Sequence, residues 1–185
     1  MKKAGGKRYY SLERNPEFGA VIMSLAYLAG LDDVVKVEIG SSDASIKRLY
    51  DAGVLKHIDL MFLDHYKPAY TTDLKLCEEL KLITPGSVLA ADNVIKPGNP
   101  PYLEYVRSSV EEKRKKAAQR SSSGSKADAR FAEKTSGQYA KREGEEKLGE
   151  TKGNPNLVYE SKLNHSFEPT GEPVSRRYYD WCWVD

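Results

Sequence analysis

The reading of this chain turns on residues 57–93. They begin His57-Ile58-Asp59-Leu60-Met61-Phe62-Leu63-Asp64-His65-Tyr66-Lys67 and end Pro85-Gly86-Ser87-Val88-Leu89-Ala90-Ala91-Asp92-Asn93. Two apolar runs, Ile58 to Leu63 and Ser87 to Ala91, each stop at an acid. Between them Thr71 to Leu82 reads as a helix, and Pro85-Gly86 turns the chain into the second run. The pattern predicts a β-α-β unit with oxygen donors at the carboxyl ends of both strands, where open α/β sheets place their sites. Two carboxylates and an amide, Asp64, Asp92 and Asn93, suit a hard divalent cation such as Mg²⁺, which prefers oxygen and keeps positions for water or substrate. Lys67 follows Asp64 by three residues. Beside a metal-bound hydroxyl it could act as general base if its pKa is lowered.

Towards the amino end the same alternation repeats. Lys7 to Leu12 has the aromatic content of a strand, closed by Glu13. Asn15-Pro16-Glu17 is a helix start, with Asn as cap, Pro at the first position and an acid in the first turn. That helix should reach about Ala29 and stop at Gly30. Val34 to Ile39 alternates as a strand and ends at Gly40-Ser41-Ser42. Asp43 is expected to cap a helix through Asp51, stopped by Gly53. The order β-α-β-α-β-α-β predicts a parallel sheet covered on both faces.

Towards the carboxyl end the signal thins. Val94 to Pro101 reads as a loop and Tyr102 to Gln119 as one helix, amphipathic and then basic. Residues 107–153 form a charged, low-complexity insertion rich in Lys, Glu, Gly and Ser. Asn156 to Leu163 reads as a strand and residues 167–171 as a turn. Tyr178-Tyr179-Asp180-Trp181-Cys182-Trp183 is aromatic and has no assigned role. The domain reading is therefore 1–106, 107–153 and 154–185.

The bulk composition excludes several classes. The chain has 185 residues, 39% of them hydrophobic, and 29 basic against 27 acidic side chains give a net charge of +2. That balance calls for neither nucleic acid nor an anionic membrane. The basic run Lys113-Arg114-Lys115-Lys116 is diluted by neighbouring glutamates and reads as a solvated helix face. Cys77 and Cys182 form no metal or disulfide spacing, so a reducing, cytoplasmic setting is expected. Ala20 to Leu31 is too short to span a bilayer and reads as a buried helix.

Each candidate residue also has a plain structural reading. Asp64 and Asp92 could cap strand ends, and Lys67 could be a surface lysine. Glu13 could bind both hydroxyls of a nucleoside ribose, or cap the next helix. Ser42 could meet an adenine edge or simply sit in a turn. His65 could stack on a ligand ring, and with no second His or Cys nearby it is a poor zinc ligand. Tyr66 could wall a site or lie in the core.

Phe62-Leu63-Asp64-His65-Tyr66-Lys67 and Leu89-Ala90-Ala91-Asp92-Asn93-Val94-Ile95-Lys96-Pro97-Gly98, with Asp92 28 positions after Asp64, resemble catechol O-methyltransferases. The likeness begins near Ser11 and runs to about Val106, then resumes weakly over Leu157 to Glu168. It implies a Mg²⁺-dependent transfer of a methyl group from S-adenosylmethionine to one hydroxyl of a catechol, a small-molecule substrate. By resemblance, Asp64, Asp92 and Asn93 are metal ligands and Lys67 is the base. Glu13, Ser42, Asp64 and His65 lie by the cofactor. Tyr66 and Pro97 wall the substrate, Asn93 faces it, and Glu168 holds its second hydroxyl. The implied fold is a Rossmann-like methyltransferase sheet, mostly parallel. The family's N-terminal helices and its first, central strand with a Gly-rich loop have no counterpart before Glu13. A sheet without that strand has open edges that invite pairing with another chain, and weakened cofactor binding is expected. Two other readings compete: a non-catalytic remnant binding a metal or partner chain, and an unrelated nucleotide-binding module, which lacks a phosphate-binding Gly loop.

Overall fold

The computed structural model describes residues 2–119, 151–167 and 176–184. The chain divides into two compact units, Met1–Leu55 and Lys56–Asp185.

The first unit holds the parallel pair β1 (Tyr9–Glu13) and β2 (Val35–Ile39), in register from Tyr9 opposite Val35 to Glu13 opposite Ile39. Helix α1 (Pro16–Leu28) starts as expected. Asn15 Oδ1 accepts the Glu17 amide at 2.8 Å and the Phe18 amide at 3.4 Å, with Pro16 in the first turn. Gly30 follows the helix at φ +63°, a conformation glycine adopts at no steric cost. Gly19 lets the helix approach β2, since a β-carbon there would lie 2.2 Å from Ile39 Cδ1. Helix α2 spans Ser42–Asp51. Its cap is Ser41, not Asp43. Asp43 falls in the first turn, where it accepts the Ser41 hydroxyl at 2.6 Å.

The expectation of a buried helix over Ala20 to Leu31 fails. Of α1, only Gly19 is buried, while Leu25 and Leu28 stand 60% and 80% exposed. A two-stranded sheet is too narrow to cover a helix that is apolar on most of its faces.

The second unit contains the deciding stretch. Strands β3 (Leu60–Leu63) and β4 (Val88–Asp92) run parallel, Leu63 opposite Ala91, joined by helix α3 (Ala69–Glu79). The helix starts two residues before the expected Thr71 and ends at Glu79 rather than Leu82. The aromatic stretch near the carboxyl end is strand β6 (Arg176–Val184). It lies antiparallel between β4 and β5 (Tyr159–Phe167), so the order is β3-β4-β6-β5. Strands β5 and β6 thus complete the sheet that β3 and β4 begin, with β3 and β4 parallel and β6 antiparallel to both its neighbours. Leu63, Leu74, Leu89, Tyr102, Val106 and Cys182 are buried in this unit. The turn expected over residues 167–171 falls, from Glu168 onward, outside the described residues.

Two further elements depart from expectation. In place of a loop, residues 94–98 form a π-helical turn closed by Gly98 N–H to Asn93 C=O at 3.1 Å and Asn99 N–H to Val94 C=O at 2.8 Å. The helix expected over Tyr102 to Gln119 is two, α4 (Pro100–Arg107) and α5 (Val110–Gln119), split at the extended Ser108. Ser109 and Glu112 close a reciprocal capping box. The Ser109 amide donates to Glu112 Oε2 at 2.8 Å and the Glu112 amide to Ser109 Oγ at 3.3 Å.

The flanks of the charged segment are built into the unit. Lys113, expected on a solvated face, is 4% exposed and donates to the Leu157 carbonyl at 2.8 Å. Its ammonium lies over the rings of Tyr105 and Tyr159, at 4.7 and 4.5 Å. Glu78, 1% exposed, accepts from the Tyr105 hydroxyl at 2.5 Å, the Asn154 amide at 2.7 Å and the Tyr159 hydroxyl. Burial pushes the Glu78 carboxyl up and the Lys113 ammonium down from their usual pKa values, and the bonds Glu78 accepts from Tyr105, Tyr159 and the Asn154 amide oppose its shift.

Candidate functional site at the carboxyl ends of β3 and β4

Asp64 follows β3 directly and Asp92 is the last residue of β4. The register, with Leu63 opposite Ala91, sets the two acids side by side. Asp64 is 41% exposed and Asp92 fully buried. Asn93 holds a left-handed conformation, φ +58° and ψ +30°, which Asn tolerates better than most residues. Its amide donates to Asp92 Oδ1 at 2.7 Å, which fixes the carboxylate in place.

Lys67 points back to this rim. It is 4% exposed, and its ammonium donates to Asp64 Oδ1 at 3.4 Å, the Asp92 carbonyl at 3.2 Å and the Tyr70 hydroxyl at 2.5 Å. The loop that carries it is fastened from the other side, because the buried Asn99 Nδ2 donates to the Lys67 carbonyl at 2.8 Å. His65 is held by α3 as well, with Nε2 2.8 Å from Oδ2 of the buried Asp73. Its ring stacks on Tyr70 at 4.9 Å between centroids. Tyr70, Asp73 and Asn99 were not singled out from sequence. The signal was there: Lys67, Tyr70 and Asp73 recur every three residues, one helical turn apart.

The rim therefore brings together Asp64, His65, Lys67, Asp92 and Asn93. Tyr66 is half-buried beside them in sequence. Pro97 lies in the π-helical turn, where its backbone alone is described. Glu168 lies outside the described residues. Glu13 and Ser42 belong to the first unit: Glu13 ends β1, and its Oε1 accepts the Asn15 amide at 2.7 Å. That is the helix-entry role its plain reading anticipated. Ser42 is the first residue of α2, half-exposed after Gly40.

Among the described residues no group of three or more His, Cys, Asp or Glu side chains could hold a metal ion. What the rim offers is two carboxylates and an amide. That donor set is wrong for zinc but fits a hard cation that keeps water or substrate oxygens in its shell. Among the described residues no helix is long and apolar enough to cross a membrane.

No family model matches the chain. It is 44% identical over 105 residues to a catechol O-methyltransferase of Bos taurus, covering 55% of this chain and 38% of that protein. It is 43% identical over 104 residues to catechol O-methyltransferase B of Danio rerio, covering 56% and 39%. A transmembrane O-methyltransferase of Homo sapiens is 38% identical over 104 residues, covering 56% and 36%. The chain thus spans well under half the length of these relatives. Among solved structures, an O-methyltransferase from Bacillus cereus in complex with SAH aligns over 96% of this chain and 63% of its own, with a TM-score of 0.54 at 18% identity. A protein from Klebsiella pneumoniae aligns with the same TM-score at 17% identity, over 96% of this chain and 62% of its own. The chain is similar to catechol O-methyltransferases over about 55% of its length and shares the Rossmann-like α/β fold of the solved structures it aligns with.

Proposed function

We propose that the β3–β4 rim serves methyl transfer from S-adenosylmethionine to a catechol hydroxyl, assisted by Mg²⁺. One observation carries the reading: a buried lysine bonds to the carboxylate at the end of one strand and to the main-chain carbonyl of the acid that ends the next. Asp64, Asp92 and Asn93 are the residues that would hold the cation. Mg²⁺ bound there would lower the pKa of a catechol hydroxyl, and S-adenosylmethionine would supply the methyl group.

The chain's own residues account for the rest. Lys67 accepts the hydroxyl proton, because its Nζ is delivered to the rim by the 64–68 loop and kept from bulk water. Asn93 orients the bound oxygens through its side-chain amide, and Tyr66 and Pro97 flank the ring. Glu168 takes the second hydroxyl. Glu13 and Ser42 are the proposed ribose and adenine contacts, and Asp64 and His65 are further proposed cofactor contacts. Holding both reactants in place supplies much of the rate. The setting is cytoplasmic, and open sheet edges support self-association.

Calorimetric titration of S-adenosylmethionine into the purified chain, with and without Mg²⁺, tests the reading. Saturable binding is expected. A folded sample that binds none would leave a non-catalytic remnant as the better description.

A further inference from the structure

Tyr70 is fully buried on the first turn of α3 and touches three residues of the rim. Its hydroxyl accepts from Lys67 Nζ at 2.5 Å and donates towards the Asp92 carbonyl at 3.4 Å. The face of its ring stacks on His65, tilted by 25°, while the Lys67 ammonium lies 4.7 Å from its centroid. Tyr102 closes on it edge-to-face at 6.0 Å. Asp73, one turn further along α3, holds the far nitrogen of the same His65 ring.

A lysine side chain has several rotatable bonds and finds no fixed place by itself. Here, beside the exposed Asp64, the Lys67 ammonium bonds to a strand-end carbonyl and to a tyrosine hydroxyl, and the hydroxyl belongs to a fully buried side chain that packing locks. From this geometry we infer that Tyr70 is the positioning residue of the rim. It sets Lys67 Nζ against the acids and His65 beside it, so that substituting it moves the base without touching a metal donor. As a statement about catalysis this rests on the reaction proposed above. As a statement about Lys67 it does not.

The test is Tyr70→Phe, which keeps the ring and removes the hydroxyl. NMR relaxation of ¹³C-labelled lysine reads the order of each side chain, and Lys75 and Lys113, both buried over tyrosine rings, serve as internal references. The Lys67 Cε order parameter should match those of Lys75 and Lys113 in the wild type and fall below about 0.6 in the variant. The two reference lysines should not change. An unchanged Lys67, or equal loosening of all three, overturns the inference, the second by showing a purely structural role. In a methylation assay the same variant should lose about tenfold in kcat, the effect of one hydrogen bond to a charged donor, with KM for catechol within about twofold. A wild-type chain that transfers no methyl group refutes the proposed reaction and leaves the relaxation result to decide the role of Tyr70.

Discussion

Replacing Glu78 with alanine is expected to cost the second unit about 3–5 kcal/mol, the penalty for removing one member of a buried charged network. Glu78 sits near the end of α3 and gathers the Tyr105 hydroxyl, the Tyr159 hydroxyl and the Asn154 amide on its two oxygens. Removing it leaves those three donors without the Glu78 acceptor and takes away the carboxylate whose charge favours the Lys113 ammonium. The site has no slack to collapse into. Gly153, at φ +74°, passes so close that a β-carbon there would lie 2.5 Å from both Glu78 Oε2 and Tyr105 Oη. Chemical denaturation followed by far-UV circular dichroism reads the loss. Glu78→Gln should cost less, because it keeps the shape and one acceptor while removing the buried charge. The two proteins also differ in pH dependence. The folded-state pKa of Glu78 is raised, so the folded wild type binds a proton more readily than its unfolded chain. The stability this group contributes is full below the ordinary carboxylate value and is lost as pH rises through the raised one. The wild type should therefore gain on Glu78→Gln as the medium is acidified, and the gap should move against it towards neutrality.

Lys67→Met is expected to lower catechol methylation by about a hundredfold to ten-thousandfold, the usual contribution of a general base, while the protein stays folded. Methionine keeps the buried stem and loses only the amine. Tyr70 retains the Asp92 carbonyl as a partner for its hydroxyl, and Asp64 is exposed enough to be hydrated. The metal donors are untouched, so binding of Mg²⁺ and of S-adenosylmethionine should persist. Steady-state kinetics beside calorimetry separates the two effects. A variant that keeps wild-type kcat would remove Lys67 from the proposed chemistry.

The rim was readable in the sequence because each of its parts is local. Strand-end acids announce themselves where an apolar run stops, and Lys67 lies three residues beyond Asp64. Asn15-Pro16, Gly30 and Gly53 mark helix ends through backbone conformations that few other residues accept. What could not be read depends on distant partners. Trp181-Cys182-Trp183 gives no sign that it pairs with Val88, Leu89 and Ala90, because register is set by the strand it meets. Lys113 looks like any surface lysine until Tyr105 and Tyr159 close over it. The split between α4 and α5 was present as Ser109-Val110-Glu111-Glu112, a capping box hidden by the helix-forming residues on both sides. The apolar helix α1 misled for a related reason: its composition predicts burial, and only the width of the sheet beneath it decides how much is covered.

The central claim is that the Asp64–Asp92–Asn93 rim with Lys67 carries metal-assisted methyl transfer. Transfer of a labelled methyl group from S-adenosylmethionine to catechol by the purified chain, measured with Mg²⁺, after chelation, and after Mg²⁺ is restored, tests it most directly. The account predicts transfer that falls to background on chelation, returns with Mg²⁺ and is absent in Asp92→Ala. Transfer that ignores chelation, or a folded chain that transfers nothing under any of these conditions, would contradict it.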